Sequence, residues 1–406
     1  MKPLGPIPAG FAAIEGELAV SGRSASELAA AGTPVFVYSA EMIAARVAAL
    51  RSAMPPTLAI HYAVKANPFP PLLRLLAPLV DGFDIASAGE LALVRQAGID
   101  PVRVSFAGPG KRDDELAAAI TAQATINLES EGEADRALVV AERLGLRPRL
   151  AVRVNPDFEL RGSGMKMGGG AKPFGIDAER VPALVRRLLA AGAQWRGLHI
   201  FAGSQALDAE AIVEAQARTL DLADRLAKAI GAPLPACNLG GGFGIPYFAG
   251  DRELDVGRIG HALAQQLASL PLSLGKTEFC LELGRWLVGP AGVYLTRIVD
   301  RKLSHGEVFL VTDGGLHHQL AASGNFGTVV RRNYPVAIAT RYAAPVEEEA
   351  TIVGCLCTPL DRLAEKAGLP HAGEGDLVAV FCAGAYGASA SPMMFLGQGP
   401  AREVLV

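Results

Sequence analysis

The feature that most constrains this chain is an alternation. From about residue 57 onward, short apolar runs separated by longer segments of helical spacing recur eight times. The runs are LAIHYAV (58–64), GFDIAS (82–87), VRVSFAG (102–108), TINL (125–128), LAVRVNP (150–156), GLHIFAG (197–203), CNLGG (237–241) and FCLELG (279–284). Between them, segments such as GELALVRQAG and ESEGEADRALVVAERLG carry Ala, Leu and Val at helical spacing and end in Gly, which suits a helix stop. Eight strands alternating with helices over roughly 230 residues predict a closed (β/α)8 barrel. A doubly wound open sheet is the alternative, and it needs only about five to seven strands.

After residue 290 the texture changes. VYLTRIVDRKL, EVFLVTDGGL, PVAIATRY, EEATIVGCLC and DLVAVFCAGAYG read as β-rich segments with turns. The first thirty residues, including FAAIEGELAVSG, resemble a hairpin and are placed with this C-terminal β-sandwich or β-barrel-like domain. The expected division is 30–287 for the barrel, and 1–29 with 288–406 for the β-rich domain. The stretch GSGMKMGGGAKPFG (162–175) interrupts the barrel after its fifth strand, and so many glycines predict a mobile loop beside a site. An ordinary solvent loop is the plainer reading.

A chain of 406 residues, half of them hydrophobic, can bury one large domain and a smaller one. Its net charge of −3 argues against a nucleic-acid partner. MKPLGPIPAGFAAIEGE contains no apolar core of signal-peptide length, and no run of eighteen apolar residues occurs, so a cytoplasmic protein without membrane association is expected. Five scattered cysteines do not make a disulfide framework. Cys355 and Cys357 form a C-x-C pair with no second pair at a zinc-site distance, so no metal is expected.

In a barrel of this kind the working residues sit where strands end. Lys65 ends the first strand in HYAVKANP. Desolvation there lowers an amine's pKa, and a neutral amine attacks an aldehyde; a lysine snorkelling at a strand end is the alternative. NLGGGFGIPY (238–247) brings consecutive glycines before a helix, either as an anion cradle for phosphate or as a tight turn. Glu282 lies inside the apolar run of the eighth strand and needs a cationic partner; a pyridinium N–H serves, as does an internal pair with Arg285. In the β-rich region, Cys357 offers a thiol as proton donor and Tyr386 a phenol for phosphate.

Taken in order, YAVKAN, FDIAS, GSQ after the sixth strand, NLGGGFG, ELGR, a cysteine in a G-x-x-C-x-x-x-D context and GDLVAVFCAGAYG span nearly the whole chain. In that order they resemble the alanine-racemase-fold pyridoxal-phosphate decarboxylases, diaminopimelate decarboxylase and its ornithine and arginine relatives. The resemblance implies pyridoxal 5'-phosphate as cofactor and Lys65 as its covalent anchor. It implies phosphate contacts from Ser204, Gly241, Gly242 and Tyr386, and a pyridine-nitrogen contact from Glu282. Arg285 then serves the phosphate or the substrate carboxylate, and Asp84 and Arg153 sit near the cofactor. Cys357 is implied as the proton donor, acting across a homodimer.

Departures from the family pattern bear on the substrate. H-I-G-S-Q becomes FAGSQ, so Phe201 takes the place of the ring-stacking histidine. Thr358 follows the cysteine where diaminopimelate decarboxylases carry a Glu, and Ala321 stands where their substrate-carboxylate Arg aligns. Losing both polar contacts removes recognition of a charged distal group. These changes are similar to the subgroup associated with exosortase and exopolysaccharide gene clusters. The expected substrate is amino-acid-like and either free or linked to a carrier protein. Competing readings are a diaminopimelate decarboxylase of lysine biosynthesis, an amino-acid racemase, and a regulatory homologue without cofactor. CTPLD disfavours the racemase. The retained lysine, glycines and cysteine disfavour the regulator.

Overall fold

The computed structural model describes residues 1–324 and 331–406. Contacts divide the chain into two units. One comprises Val47–Gly244 and Leu254–Gly284; the other comprises Met1–Arg46, Ile245–Glu253 and Arg285–Val406.

The first unit is the expected barrel. Its strands are Ala59–Ala63, Gly82–Ile85, Val104–Phe106, Thr125–Leu128, Arg149–Asn155, Gln194–Ile200, Ala236–Gly241 and Glu278–Leu283. Each pairs in parallel with the next, and the eighth returns to the first from Cys280↔Ala59 to Leu283↔Tyr62. The open-sheet alternative therefore falls. Local chemistry sets the helices between strands. Ser130 caps Glu131–Leu144 by accepting the Glu133 N–H, and Gly145 ends that helix at φ +63. Ser87 and Asp208 cap Ala88–Gln96 and Ala209–Ile230 in the same way.

Strand periodicity sorts the barrel wall into two sets. Ile60, Tyr62, Phe83, Ile85, Phe106, Ile126, Val152, Leu198 and Leu281 are all buried. Each such side chain contributes about 1.5–3 kcal/mol relative to an exposed one. The alternate positions, joined across the strands by register, are His61, Asp84, Asn127, Arg153, His199, Asn238 and Glu282. One face of this sheet is thus apolar and the other carries charge.

The second unit is built on one long strand, Gly292–Ser304. Its first half pairs antiparallel with Leu377–Phe381 on one side and Val35–Tyr38 on the other, and its second half pairs with Glu307–Thr312. Val336–Ile338, Glu348–Val353, Arg362–Leu369 and Arg402–Leu405 complete the strands around it. The N-terminal hairpin is present as Ala12–Ile14 against Glu17–Val20, turning at Glu15 and Gly16, both at positive φ. Leu18 and Val20 join Val35, Val37, Val293, Leu295 and Phe381 in one core.

Two features differ from the sequence expectation. The expected boundary at residue 30 falls short of the contact boundary at Arg46, because Val35–Tyr38 is a strand of the β-rich sheet. Its partners lie over 250 residues away in the chain, beyond the reach of local pattern. The stretch 162–175 also carries pairing that its glycine content does not suggest. Met165 and Lys166 pair with Ser204 and Gly203, and the Gly175 N–H donates to Glu129. Gly168 and Gly169 pack where a Cβ would lie 2.7 Å from Pro156 and 2.6 Å from Glu159, so these glycines answer a steric demand.

Candidate active site

Lys65 leaves the first barrel strand in a single 3-10 turn, Val64–Ala66. Its side chain is 44% exposed, and its Nζ lies 3.4 Å from Glu282 Oε1. The same nitrogen stands 5.4 Å from the centroid of the Phe201 ring. Glu282 is 5% exposed and receives a second contact from His199, with Nε2 3.0 Å from Oε2. Burial alone would raise the Glu282 carboxyl. The Lys65 charge, the His199 hydrogen bond and Arg153 outweigh it and hold the group well below the usual carboxylate range. The rim of the barrel therefore presents an amine, an ionised carboxylate and an aromatic face within one cluster.

Deeper polar residues extend it. Asp84 Oδ2 lies 3.2 Å from His61 Nδ1. Arg153 donates to Glu129 at 2.9 Å, and Glu129 also accepts the Gly108 and Gly175 N–H groups. The seventh strand ends in a turn that glycine alone fits. A Cβ on Gly241 would lie 2.0 Å from the Glu282 carbonyl oxygen, and one on Gly242, at φ +74, 2.2 Å from the Gly203 oxygen. Ser204 stands on the neighbouring segment, paired with Met165.

This donor set fits a polar aromatic ring bearing a phosphate. Asp84 Oδ1 and His199 Nδ1 are buried with no hydrogen-bond partner among the described residues, an arrangement that is costly unless a ligand or water completes it. A lysine beside them supplies an amine for an aldehyde.

The second unit holds the remaining sequence-predicted residues in two places. Arg285 NH1 donates to the Tyr247 hydroxyl at 2.7 Å, and its guanidinium stacks 4.6 Å from the Tyr386 ring. Burial would lower the Arg285 pKa, but the phenols of Tyr247, Tyr386 and Tyr334 outweigh it and raise it, so the residue stays cationic. Cys357 and Thr358 lie in the 354–361 loop, where the Cys357 side chain is exposed. That loop is organised by Asp361, which is 2% exposed. Its two carboxylate oxygens accept the Leu316 N–H at 2.6 Å and the Leu356 N–H at 2.9 Å. Burial pushes the thiols of Cys237 and Cys382 up to about 12, which leaves both unreactive.

The structure brings Lys65, Glu282 and Phe201 together, and Arg285 with Tyr386. Sequence reasoning missed His61, Glu129, Tyr247 and the anchoring role of Asp361. The signal for His61 was present: a titratable residue inside the apolar run LAIHYAV is an anomaly of the same kind as Glu282. Among the described residues, no group of three His, Cys, Asp or Glu is placed to hold a metal ion.

A closed barrel with a rim lysine against a buried carboxylate suits a covalently held aldehyde cofactor. Comparison with known proteins specifies the class. Residues 40–289 match the family described as pyridoxal-dependent decarboxylase, pyridoxal binding domain. The chain is 36% identical over 384 residues to L-glutamyl-[BtrI acyl-carrier protein] decarboxylase of Niallia circulans, covering 92% of this chain and 88% of that protein. It is 34% identical over 404 residues to diaminopimelate decarboxylase of Aquifex aeolicus, covering 97% and 91%. The crystal structure of diaminopimelate decarboxylase from M. jannaschii with L-lysine superposes with a TM-score of 0.88 at 26% identity, covering 98% and 93%. The chain belongs to the pyridoxal-dependent decarboxylases. It is a carboxy-lyase that uses pyridoxal 5'-phosphate to decarboxylate an amino-acid substrate. Among the described residues, no helix is long and apolar enough to cross a membrane.

Proposed function

We propose that this decarboxylase acts on a substrate whose distal end is neutral or carrier-linked, such as an aminoacyl group on an acyl-carrier protein. The observation that carries the reading is Thr358, the residue after the cysteine. It is uncharged, and its hydroxyl accepts the Leu360 N–H at 3.3 Å, so its polar group is engaged within its own turn. Ala321 is equally unable to bind a distal carboxylate. A charged head buried without a partner costs a few kcal/mol, enough to lower kcat/KM by ~10²-fold or more. The similarity to an enzyme named for a glutamyl group on a carrier protein supports the same direction.

In this reading Lys65 carries the cofactor, Glu282 faces its ring nitrogen, and Phe201 lies against the ring. Asp84 and Arg153 orient it, while Ser204, Gly241, Gly242 and Tyr386 hold its phosphate. Arg285 serves the phosphate or the substrate carboxylate, with Tyr386 and Thr358 also near the substrate. Pyridoxal phosphate supplies the electron sink for loss of CO2. Glu282, ionised and braced by His199, is suited to hold a proton on the facing nitrogen. Cys357 returns a proton to the substrate carbon, working with the barrel of a second copy in a homodimer. The barrel and the β-rich domain are the two working parts of each copy. The setting proposed is cytoplasmic, in exopolysaccharide biosynthesis, on the likeness of FAGSQ and CTPLD to that subgroup.

The test presents purified holoenzyme with free amino acids and with carrier-loaded aminoacyl groups, and follows loss of CO2 by mass spectrometry. Turnover of a carrier-loaded or neutral-ended substrate is expected. A kcat/KM for meso-diaminopimelate of about 10⁴ M⁻¹s⁻¹ or above overturns the reading in favour of lysine biosynthesis. Mixing Lys65→Ala with Cys357→Ala chains tests the shared site. Activity is expected to recover, since one of two sites in a mixed dimer is intact; no recovery after verified exchange refutes sharing.

A further inference from the structure

We infer that His61 is a positioning residue for this cofactor site: it fixes the Asp84 carboxylate through Oδ2 and so presents Oδ1 to an N–H or O–H donor of the bound ligand. The inference rests on the proposal that Lys65 and Glu282 hold the cofactor.

The geometry begins with register. His61 pairs with Glu282 on one side and with Gly82 on the other, and Ala63 pairs with Asp84. His61 and Asp84 thus share the polar face of the wall, with His61 one step nearer the start of its strand. The imidazole reaches Asp84 by crossing over Gly82. A Cβ at that glycine would lie 2.5–2.7 Å from three atoms of the His61 ring. Gly82 is therefore the space the ring occupies, and its place in GFDIAS has a steric reason. Nδ1 then sits 3.2 Å from Asp84 Oδ2, with the two side chains 21% and 5% exposed.

The two carboxylate oxygens have different fates. Oδ2 is held by His61, while Oδ1 is buried with no partner among the described residues. A buried carboxylate oxygen left bare is unfavourable, and the arrangement is satisfied when a ligand donates to it. The groups whose charges bear on His61 are Asp84 on the second strand, Glu282 on the eighth and Asp81 ahead of the second. Burial opposes the imidazolium, yet these carboxylates outweigh it and raise the His61 pKa. His61 therefore also offsets negative charge beside Glu282.

The test uses holoenzyme and protein freed of cofactor with hydroxylamine, then titrated with pyridoxal phosphate by fluorescence quenching. His61→Phe keeps a ring over Gly82 and removes the donor. Cofactor affinity is expected to fall by about tenfold, the worth of one lost hydrogen bond to a charged group. The pH midpoint of the cofactor's absorbance change is expected to shift in parallel. His61→Asn, whose amide still donates to Asp84, is expected to recover most of the affinity. In an Asp84→Asn background, His61→Phe is expected to add little, because it acts through that carboxylate. Should His61→Phe fail to fold, His61→Ala, which only removes atoms, supports the same comparisons. Unchanged affinity and spectral midpoint in the folded variant overturn the inference, as does an additive loss in the double variant. Borohydride trapping on Lys65 is the separate control: an adduct on another lysine refutes the site reading itself, whatever the His61 variants do.

Discussion

Replacing Asp361 by Asn tests how the cysteine loop is held. Both oxygens of the buried carboxylate are engaged, one by Leu316 N–H and one by Leu356 N–H. An amide has one oxygen. Whichever N–H it serves, its NH2 confronts the other. The variant therefore loses one charge-assisted hydrogen bond, worth about 1.5–3 kcal/mol, and strands a buried N–H at ~1–3 kcal/mol. Part of this is offset, because burial lifts the Asp361 carboxyl above its usual range, so the ionised group already bears a desolvation cost that an amide avoids. The carboxylate fills the space a Cβ would take at Gly315 and Gly354, 2.2 Å from each position, so the backbone closes tightly around it. The net loss is about 2–4 kcal/mol, or roughly 30- to 1,000-fold in local opening at 1.36 kcal/mol per tenfold. Hydrogen exchange followed by mass spectrometry on peptides spanning 313–320 and 354–361 reads this directly. Turnover is expected to fall with it, because Cys357 rides on the loosened loop. Native protection in both peptides together with native turnover refutes the argument.

His318 carries a pH dependence. Burial, reinforced by His317, lowers its pKa from 6.5 to about 4, so the fold favours the neutral ring. Its contribution is present above pH 6.5 and is lost as pH falls toward 4, about 3 kcal/mol in all at 1.36 kcal/mol per unit. Denaturant titrations of His318→Gln are expected to show a shallower decline across that window, and a slope equal to the parent's rules the assignment out. Gly241→Ala forces a methyl against the Glu282 carbonyl and is expected to lower stability by at least ~1–3 kcal/mol and to impair cofactor binding. Gly132→Ala, in a helix with open space around it, is expected to be stabilising by ~0.5–1 kcal/mol. Equal melting temperatures for the two variants contradict this reading of the glycines.

The barrel was legible in the sequence because each of its strands is a short apolar run bounded by a turn or a helix cap, and both signals are local. Val35–Tyr38 carries the same texture, yet its partners are set by tertiary pairing with Gly292–Leu295. Arg362–Leu369 is not legible as a strand, because RLAEKAGL has the composition of a helix. It forms a strand against Glu348–Val353 with irregular register, and Lys366 sits at φ +48. Among site residues, Lys65 and Glu282 stood out as charges in apolar surroundings. Asp361 was visible in the G-x-x-C-x-x-x-D pattern, but its anchoring of two distant N–H groups follows only from the fold. His61 required the register that places it over Gly82.

The pairing of Val35–Tyr38 has a consequence for synthesis. Its neighbours are Gly292–Leu295 and Arg402–Leu405. At about 10 residues per second, the first of these follows by ~25 s. During that interval the barrel strands can find one another, since all their partners lie within Ala59–Leu283. VFVY, uncharged and rich in β-branched and aromatic residues, meanwhile lacks both of its neighbours. Such a bare edge is open to pairing with another nascent chain. The nascent polypeptide therefore carries an aggregation hazard at Val35–Tyr38, and that hazard ends only when Arg402–Leu405 arrives to cover it.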